Sequence, residues 1–266
     1  MNKRSSVYSF PSTTLLITHY NRSKSLENLL LSFRKLQCVF AEIIVSDDGS
    51  SVEHLLVLRN LQKKYSFKLI EAEKNKGLGN NINKGQDAVR TPFTLYVQED
   101  FEPLEIFPEK LVDSHDFMEC DATLDIVRYY AFWPYPYLKA YKNGFFQMYV
   151  KRLGVDYGKI YCYADTPHLR RTNFLQKFGR YAEGIKGDRT EYKMCISFIQ
   201  KKGKGLFYYD CNSLFKHENS TEEPSTMDRR SWRQGNNFFI KFLRETYRQL
   251  KYNGDILLMK TPKNTI

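Results

Sequence analysis

Short apolar runs alternate with amphipathic stretches along the first hundred residues. Thr13-Thr14-Leu15-Leu16-Ile17-Thr18 is apolar and β-branched and reads as a buried strand. The polar stretch His19-Tyr20-Asn21-Arg22 follows. Leu26, Leu29, Leu30 and Phe33 then recur at i, i+3, i+4 and i+7, with Ser23 or Ser25 placed to cap that helix. Glu42 to Ser46 predicts a second strand, closed by Asp47-Asp48-Gly49-Ser50-Ser51. Ser50 and Glu53 have capping-box spacing, and Leu55, Leu58, Leu61 and Tyr65 mark the inner face of a second helix. Phe67 to Glu71 predicts a third strand, Asn75-Lys76-Gly77-Leu78-Gly79 a loop, and Asn80 to Val89 a third helix. Thr91-Pro92 breaks that helix before Phe93-Thr94-Leu95-Tyr96-Val97, a strand that ends abruptly in Gln98-Glu99-Asp100.

Four repeats of strand and helix predict a parallel sheet with helices on both faces. Such sheets bind ligands beyond the carboxyl ends of their strands. Those ends carry Thr18-His19-Tyr20, Asp47-Asp48, Asn75 with Gly77, and Glu99-Asp100. Each could be ordinary turn chemistry. Together on one edge they suit a nucleotide and a cation. Tyr20 can stack on a base, and Asp48 can accept a base N–H. Adjacent carboxylates at a strand end suit a hard cation such as Mg2+, which shares its shell with substrate phosphates. The competing reading of Glu99-Asp100 is a solvated turn before Pro103.

Beyond Pro103 the pattern loosens. Phe107 to Cys120 reads as a helix and Leu124 to Tyr129 as a strand. Tyr129 to Tyr149 holds ten aromatics in twenty-one residues, broken by Pro134, Pro136 and Gly144. That density suits a sugar or lipid platform, or a satellite hydrophobic cluster under a long loop. Ile160 to Ala164 predicts a strand, and Thr172 caps a short helix to Phe178. Gly184 to Glu191 is a loop leading into a helix from Glu191 to Lys201. Gly205 to Tyr209 and Ser213 to Lys216 predict short strands, with His217 directly after the second and the polar loop Glu218 to Thr221 beyond it. Asn237 to Tyr252 predicts a basic amphipathic helix. Phe239, Phe242, Leu243, Thr246 and Leu250 mark one face, and Lys241, Arg244, Arg248 and Lys251 populate the rest. It can pack on the body, dimerise, or lie on an anionic membrane surface.

Composition narrows the class. The 266 residues are 42% hydrophobic and 27% charged, as in a globular protein with a real core. The formal charge is +11. From Ser225 onward nine Lys/Arg face three Asp/Glu, so over half of the excess lies in the last sixth of the chain. No nucleic-acid motif or even basic stripe accompanies it, so phosphorylated small molecules or anionic lipid fit better than nucleic acid. The five cysteines are odd in number and form no C-x-x-C pair, which predicts a reducing compartment. Residues 1–11 carry Lys3 and Arg4 without an apolar run of signal-peptide length. No P-loop, dinucleotide fingerprint, nucleophile elbow or H-E-x-x-H occurs.

Residues Thr14 to Glu102 resemble the nucleotide-binding half of a family 2 glycosyltransferase with the GT-A fold. The matching pieces are Ile17 to Arg22, Ile43 to Ser50, Asn75-Lys76-Gly77 with Asn83-Lys84-Gly85, and Gln98-Glu99-Asp100 as the DxD-type metal motif. Gln98 departs from that motif at its first acidic position, which leaves Asp100 as the direct ligand and Glu99 nearer the ribose or a metal-bound water. The resemblance implies an α/β fold of GT-A type: a Rossmann-like, mostly parallel sheet flanked by helices, a smaller acceptor-side region and a C-terminal helix. It divides the chain into an extension (1–12), a nucleotide-sugar half (13–103), an acceptor-side and catalytic half (104–221) and a basic tail (222–266). It implies transfer from a nucleoside-diphosphate sugar, uridine by family habit, to a glycan or lipid-linked glycan hydroxyl, with Mn2+ or Mg2+ and inversion. Thr18, Tyr20, Arg22, Asp48, Asn75, Gly77, Asn83 and Glu99 would hold the nucleotide, and Asp100 and His217 the metal. The catalytic base would be Glu191, then Asp188, then Glu183. A cytoplasmic setting follows, with contact to the inner membrane face through the basic tail. The alternatives are a nucleotidyltransferase acting on a sugar phosphate and a non-catalytic carbohydrate-binding relative.

Overall fold

The structure, a computed structural model, describes residues 7–151, 156–218 and 238–260 of the chain. It opens with β1 (Tyr8–His19), α1 (Ser23–Lys35), β2 (Cys38–Asp47), α2 (Val52–Tyr65), β3 (Lys68–Ile70), α3 (Leu78–Ala88) and β4 (Phe93–Gln98). These four strands are parallel neighbours in the order β3-β2-β1-β4. Thr18 sits level with Ser46 on one side and Gln98 on the other, so the strand ends fall on one edge. The apolar runs are buried on both faces, as parallel sheets require. Leu15 and Ile17 join one core with Leu26, Leu30 and Phe107, while Leu16, Ile44 and Tyr96 join another with Ile82, Tyr163 and Phe198. Gly85 lets α3 lie close on the sheet: a Cβ there would come within 2.6 Å of the Leu16 side chain.

The remaining elements are β5 (Phe101–Pro103), α4 (Phe107–Cys120), β6 (Ile126–Arg128), β7 (Leu138–Ala140), β8 (Phe145–Met148), a 3-10 helix (Tyr157–Cys162), β9 (His168–Arg171), α5 (Phe174–Phe178), α6 (Gly187–Gln200), β10 (Gly205–Tyr208), β11 (Phe215–His217) and α7 (Phe238–Leu258). Five of these strands extend the sheet to nine, in the order β3-β2-β1-β4-β9-β6-β10-β8-β7. β9 runs antiparallel between β4 and β6. β5 and β11 form a separate antiparallel ribbon in which Phe101 pairs with His217. α7 is held on the body by Lys159 Nζ to Asn253 Oδ1 at 2.8 Å, by Gln200 Nε2 to the Met259 carbonyl at 2.8 Å, and by the Tyr192 hydroxyl to Asp255. Among the described residues no helix is long and apolar enough to cross a membrane.

Several expectations need correction. β1 begins at Tyr8, pairing with Cys38, so the last residues of the expected extension belong to the sheet. Ser50 caps no helix. Its hydroxyl donates to Asp47 Oδ1 at 2.5 Å and accepts the Asn21 N–H at 2.9 Å, while α2 starts at Val52. α1 starts at Ser23 without a side-chain cap. Ile160 to Ala164 is not a strand. The Asp156 carboxylate accepts the Gly158 N–H at 2.7 Å and winds the run into the 3-10 helix; a short apolar run does not by itself distinguish strand from buried helix. α6 begins at Gly187, so Asp188 lies in its first turn and Glu191 one turn in. His217 ends β11 rather than following it. β5, β7, β8 and β9 were not anticipated. On α7, Leu250 of the expected apolar face is 72% exposed. Phe239, Phe242 and Leu243, with Lys241 and Arg244, lie outside the described side chains, as do Lys3, Arg4 and the loop Asn219 to Thr221.

Candidate active site

Three strand ends are tied together by their own side chains. Asp47, at the end of β2, takes His19 Nδ1 on Oδ1 at 2.8 Å and the Gly49 and Ser50 N–H groups on Oδ2 at 3.0 and 2.9 Å. Burial opposes its ionisation, yet His19 and the hydroxyl and N–H of Ser50 hold its carboxyl below the ordinary value. Asp48 is buried and accepts the Lys76 and Gly77 N–H groups, both at 2.9 Å, so it pins the third loop to the second. Burial wins there, and its carboxyl is pushed up. Asn75 closes the same turn by accepting the Gly77 N–H at 3.0 Å. Gly77 has φ +87°, which favours glycine, and leads directly into α3. Thr18 is buried with its hydroxyl 3.1 Å from the Tyr96 hydroxyl, and Tyr20 is half-buried beside it in sequence.

Asn83 and Glu183 are engaged elsewhere. Asn83 is buried, donates to the Tyr181 carbonyl at 2.9 Å and to Glu183 Oε1 at 2.8 Å, and accepts the Tyr181 N–H at 3.0 Å. Glu183 Oε2 takes Asn80 Nδ2 at 2.7 Å. Both side chains thus fasten α3 to the segment before α6, and neither lines the cavity described next.

That cavity, about 260 Å³, lies beyond the end of β4. Asp100 and His217 line it from the first strand ends and the ribbon; Asp165, Asp188 and Glu191 line it from the second half. The structure therefore brings the expected metal and base residues to one space. The β5–β11 pairing is what carries His217 there. Asp100 Oδ2 accepts Arg22 Nη1 at 2.6 Å and lies 3.3 Å from His217 Nε2. Its Oδ1 is buried with no hydrogen-bond partner. Burial works against the charge of Asp100, but His217 and the Arg22 guanidinium keep its carboxyl below the ordinary value. Arg22 is itself buried, donates to the Glu218 carbonyl at 3.2 Å and approaches Glu99 to 4.0 Å.

Asp165 is a residue the sequence did not single out. It is 5% exposed, and its N–H donates to Glu191 Oε1 at 3.1 Å. Its Oδ1 accepts the Tyr163 hydroxyl at 2.7 Å, and its Oδ2 is buried without a partner. Burial pushes both carboxyls of this pair above the ordinary range, and the Glu191 charge adds to the rise at Asp165. Behind Asp165 the Tyr163 hydroxyl bonds to that of Tyr181, which accepts Arg170 Nη1 at 2.6 Å. Arg128, also buried, lines the same cavity. The available signals were an acid after a buried run in Tyr163-Ala164-Asp165, just before Thr166-Pro167, and a charge inside an apolar strand at Arg128.

Comparison with known proteins bears on the family and the fold. In sequence the chain is 32% identical over 72 residues to the poly-β-1,6-N-acetyl-D-glucosamine synthase of Staphylococcus epidermidis. That alignment spans 27% of this chain and only 18% of the synthase. In structure it is similar to S. aureus TarS 1–349 in complex with UDP-GlcNAc, with a TM-score of 0.57 and 17% identity over 94% of this chain and 76% of that one. It is also similar to the mannosyltransferase PcManGT of Pyrobaculum calidifontis in complex with GDP-Man and Mn2+, with a TM-score of 0.56 and 12% identity over 98% of this chain and 70% of that one. At such identities these likenesses speak to the fold, which is the GT-A type. The model of glycosyl transferase family 2 matches residues 14–179, more than half of the chain, and the protein belongs to that family.

Proposed function

We propose that the protein moves a sugar from a nucleoside-diphosphate sugar, UDP-linked, to a hydroxyl of a glycan or lipid-linked glycan in surface polysaccharide or glycolipid synthesis. One observation carries the reading: a carboxylate with an unpartnered oxygen, Asp100, shares a cavity with a second carboxylate pair, Glu191 and Asp165. Family membership and the names of the similar proteins support the donor class.

The residues fit a divalent cation sparsely. Asp100 Oδ1 is an orphaned buried acceptor, and His217 Nε2 lies beside the same carboxylate. Among the described residues no cluster of three His, Cys, Asp or Glu could hold a metal by itself. That matches Mg2+-type sites, which take one or two protein oxygens and complete the shell with substrate phosphate and water. Asp100 and His217 would hold the ion, with Glu99 nearby. Bound there, it supplies Lewis-acid charge that offsets the negative charge gained by the leaving diphosphate.

Asp48 shapes the third loop so that Asn75 and Gly77 border the nucleotide, with Thr18 and Tyr20 near the base. Glu191 takes the proton of the acceptor hydroxyl as its oxygen bonds to the anomeric carbon. The bond from that carbon to the diphosphate oxygen breaks in the same step, which inverts the configuration. Burial raises the affinity of Glu191 for a proton, as a general base working near neutral pH needs. Asp165 positions it through the N–H to Oε1 bond. Two incubations with Mn2+ test the reading, one with a panel of nucleotide sugars and one with nucleoside triphosphates and sugar phosphates. Release of nucleoside diphosphate supports it; release of pyrophosphate from a nucleoside triphosphate and sugar phosphate would make the protein a nucleotidyltransferase.

A further inference from the structure

The aromatic segment after β6 does more than wall the catalytic cavity. A second concavity of about 660 Å³ opens beside it, within the roughly 300–1,000 Å³ typical of ligand pockets. The two share Trp133, Pro136, Gly158 and Tyr161 in their walls. Past that shared wall the groove is lined by Asp156 and Tyr157 of the 3-10 segment and by Arg248 and Tyr252 of α7. Trp133 is 58% exposed and stands edge-on to Tyr161, with ring centres 6.0 Å apart. Tyr157 and Tyr252 lie 6.3 Å apart, and the Arg248 guanidinium sits 4.9 Å over the Tyr157 ring. Ring faces and polar tips are thus presented together, held in place by the bonds that dock α7.

We propose that this groove is an acceptor subsite for a glycan chain, holding the sugar units that trail the one offered to Glu191. The inference rests on the transfer reaction proposed above. Continuity is its first support: a chain whose reacting hydroxyl lies in the first cavity passes through the shared wall into the second. Lining chemistry is the next. No Leu, Ile, Val or Met side chain lines the groove among the described residues, so an acyl chain would find little aliphatic surface. Sugars offer C–H faces to aromatic rings and hydroxyls to groups such as the Arg248 guanidinium, the Asp156 carboxylate and the tyrosine hydroxyls. The cation–π contact at Tyr157 orders that ring before any ligand arrives.

The test is direct binding, independent of turnover. The full chain is titrated by saturation-transfer NMR with oligosaccharides of one to six units built from glucose, galactose, mannose or N-acetylglucosamine. At least one series should tighten by about tenfold or more between one unit and four. Arg248→Gln and Tyr252→Leu should each remove most of that gain, the roughly tenfold loss expected of an aromatic or arginine anchor. Thermal melts confirm that the variants fold, and Trp133→Phe repeats the test from the opposite wall. Affinity that does not depend on chain length in every series, or folded variants that bind the longer chains as the wild type does, overturns the subsite. Release of nucleoside diphosphate from nucleotide sugar is followed separately. Its absence sinks the transferase reading, while the titration still decides whether the groove binds a glycan.

Discussion

The two halves of the sheet are assembled by different rules. In β1 to β4 the pairs β1–β2 and β2–β3 join strands one helix apart, β4 returns to lie beside β1, all are parallel, and the loops that matter follow directly from the strand ends. In the second half, β9 is inserted between β4 and β6, β10 pairs with β6 and β8, and the strands are three or four residues long. The first half is thus built mainly from successive βα units, while the second, its β7–β8 pair apart, depends on pairings between distant segments. The seam between them is Arg170 of β9, fully buried. Its Nε and Nη2 donate to Gln86 Oε1 of α3 at 3.1 and 2.7 Å, and its guanidinium stands over the Tyr96, Phe174 and Tyr181 rings. On the proposed function the two halves have separate tasks: the regular half would present donor-side groups, and the irregular half the base and the acceptor surface.

The largest effect should come from the regular half. Asp100→Asn weakens the hold on the proposed cation, whose charge would be worth several kcal/mol to a leaving diphosphate, so transfer should fall by at least about a thousandfold. The Mn2+-dependent thermal shift seen with nucleoside diphosphate should vanish with it. The asparagine oxygen still accepts from Arg22, so circular dichroism should stay unchanged. Full Mn2+-dependent activity in this variant would remove the metal from Asp100. The complementary experiment lies in the irregular half. Glu191→Gln should lower kcat by roughly 10² to 10⁴ with donor Kd unchanged. Asp188→Asn should do much less; the reverse ranking would move the base to Asp188. Together the two variants separate donor-side from acceptor-side loss, and a Glu191 variant that weakens donor binding as much as turnover would break the division.

A third substitution addresses the seam. Gln86→Leu leaves the buried Arg170 without the acceptor that takes two of its bonds. Urea unfolding should show a loss of about 3 kcal/mol, the scale for orphaning a buried charge. A loss under about 1 kcal/mol would mean that the three rings and the Tyr181 hydroxyl hold the guanidinium unaided.

The same contrast explains what could be read beforehand. The four βα repeats were visible because apolar runs and turn residues are local signals, and each loop kept its polar group at the strand end. Asp100, Glu191 and Asp188 were readable as acids at element ends, and they do share a cavity. β9 was invisible because His168-Leu169-Arg170-Arg171 carries two arginines and becomes a strand only between β4 and β6. Asn83 and Glu183 were readable as polar groups near the site, but their pairing required the fold to bring α3 against the chain before α6. Asp165 had no periodic pattern around it. Its importance lies in what surrounds it, the Tyr163 hydroxyl two residues back and the Glu191 carboxylate brought in from α6.

Asp165 also provides the finest test of how the irregular half tunes its base. Burial raises its pKa in the folded protein above the unfolded value. Between those two values the folded state keeps a proton that the unfolded state has lost, so its contribution to stability is greatest at acid pH and declines as pH rises toward the folded value. Asparagine cannot ionise and can still accept the Tyr163 hydroxyl, so Asp165→Asn escapes that decline. Its stability relative to the wild type should improve steadily from acid to neutral pH in paired urea titrations. Glu191 loses its proton first, since its charge is one of the causes that raise Asp165. Asp165 is therefore still neutral where the acidic limb of the kcat/KM profile falls, and asparagine replaces one neutral group with another. The limb should stay in place in Asp165→Asn, while the plateau changes by less than about tenfold. A limb that moves to lower pH would show that Asp165 is already charged when Glu191 titrates, and that its charge as well as burial sets the base.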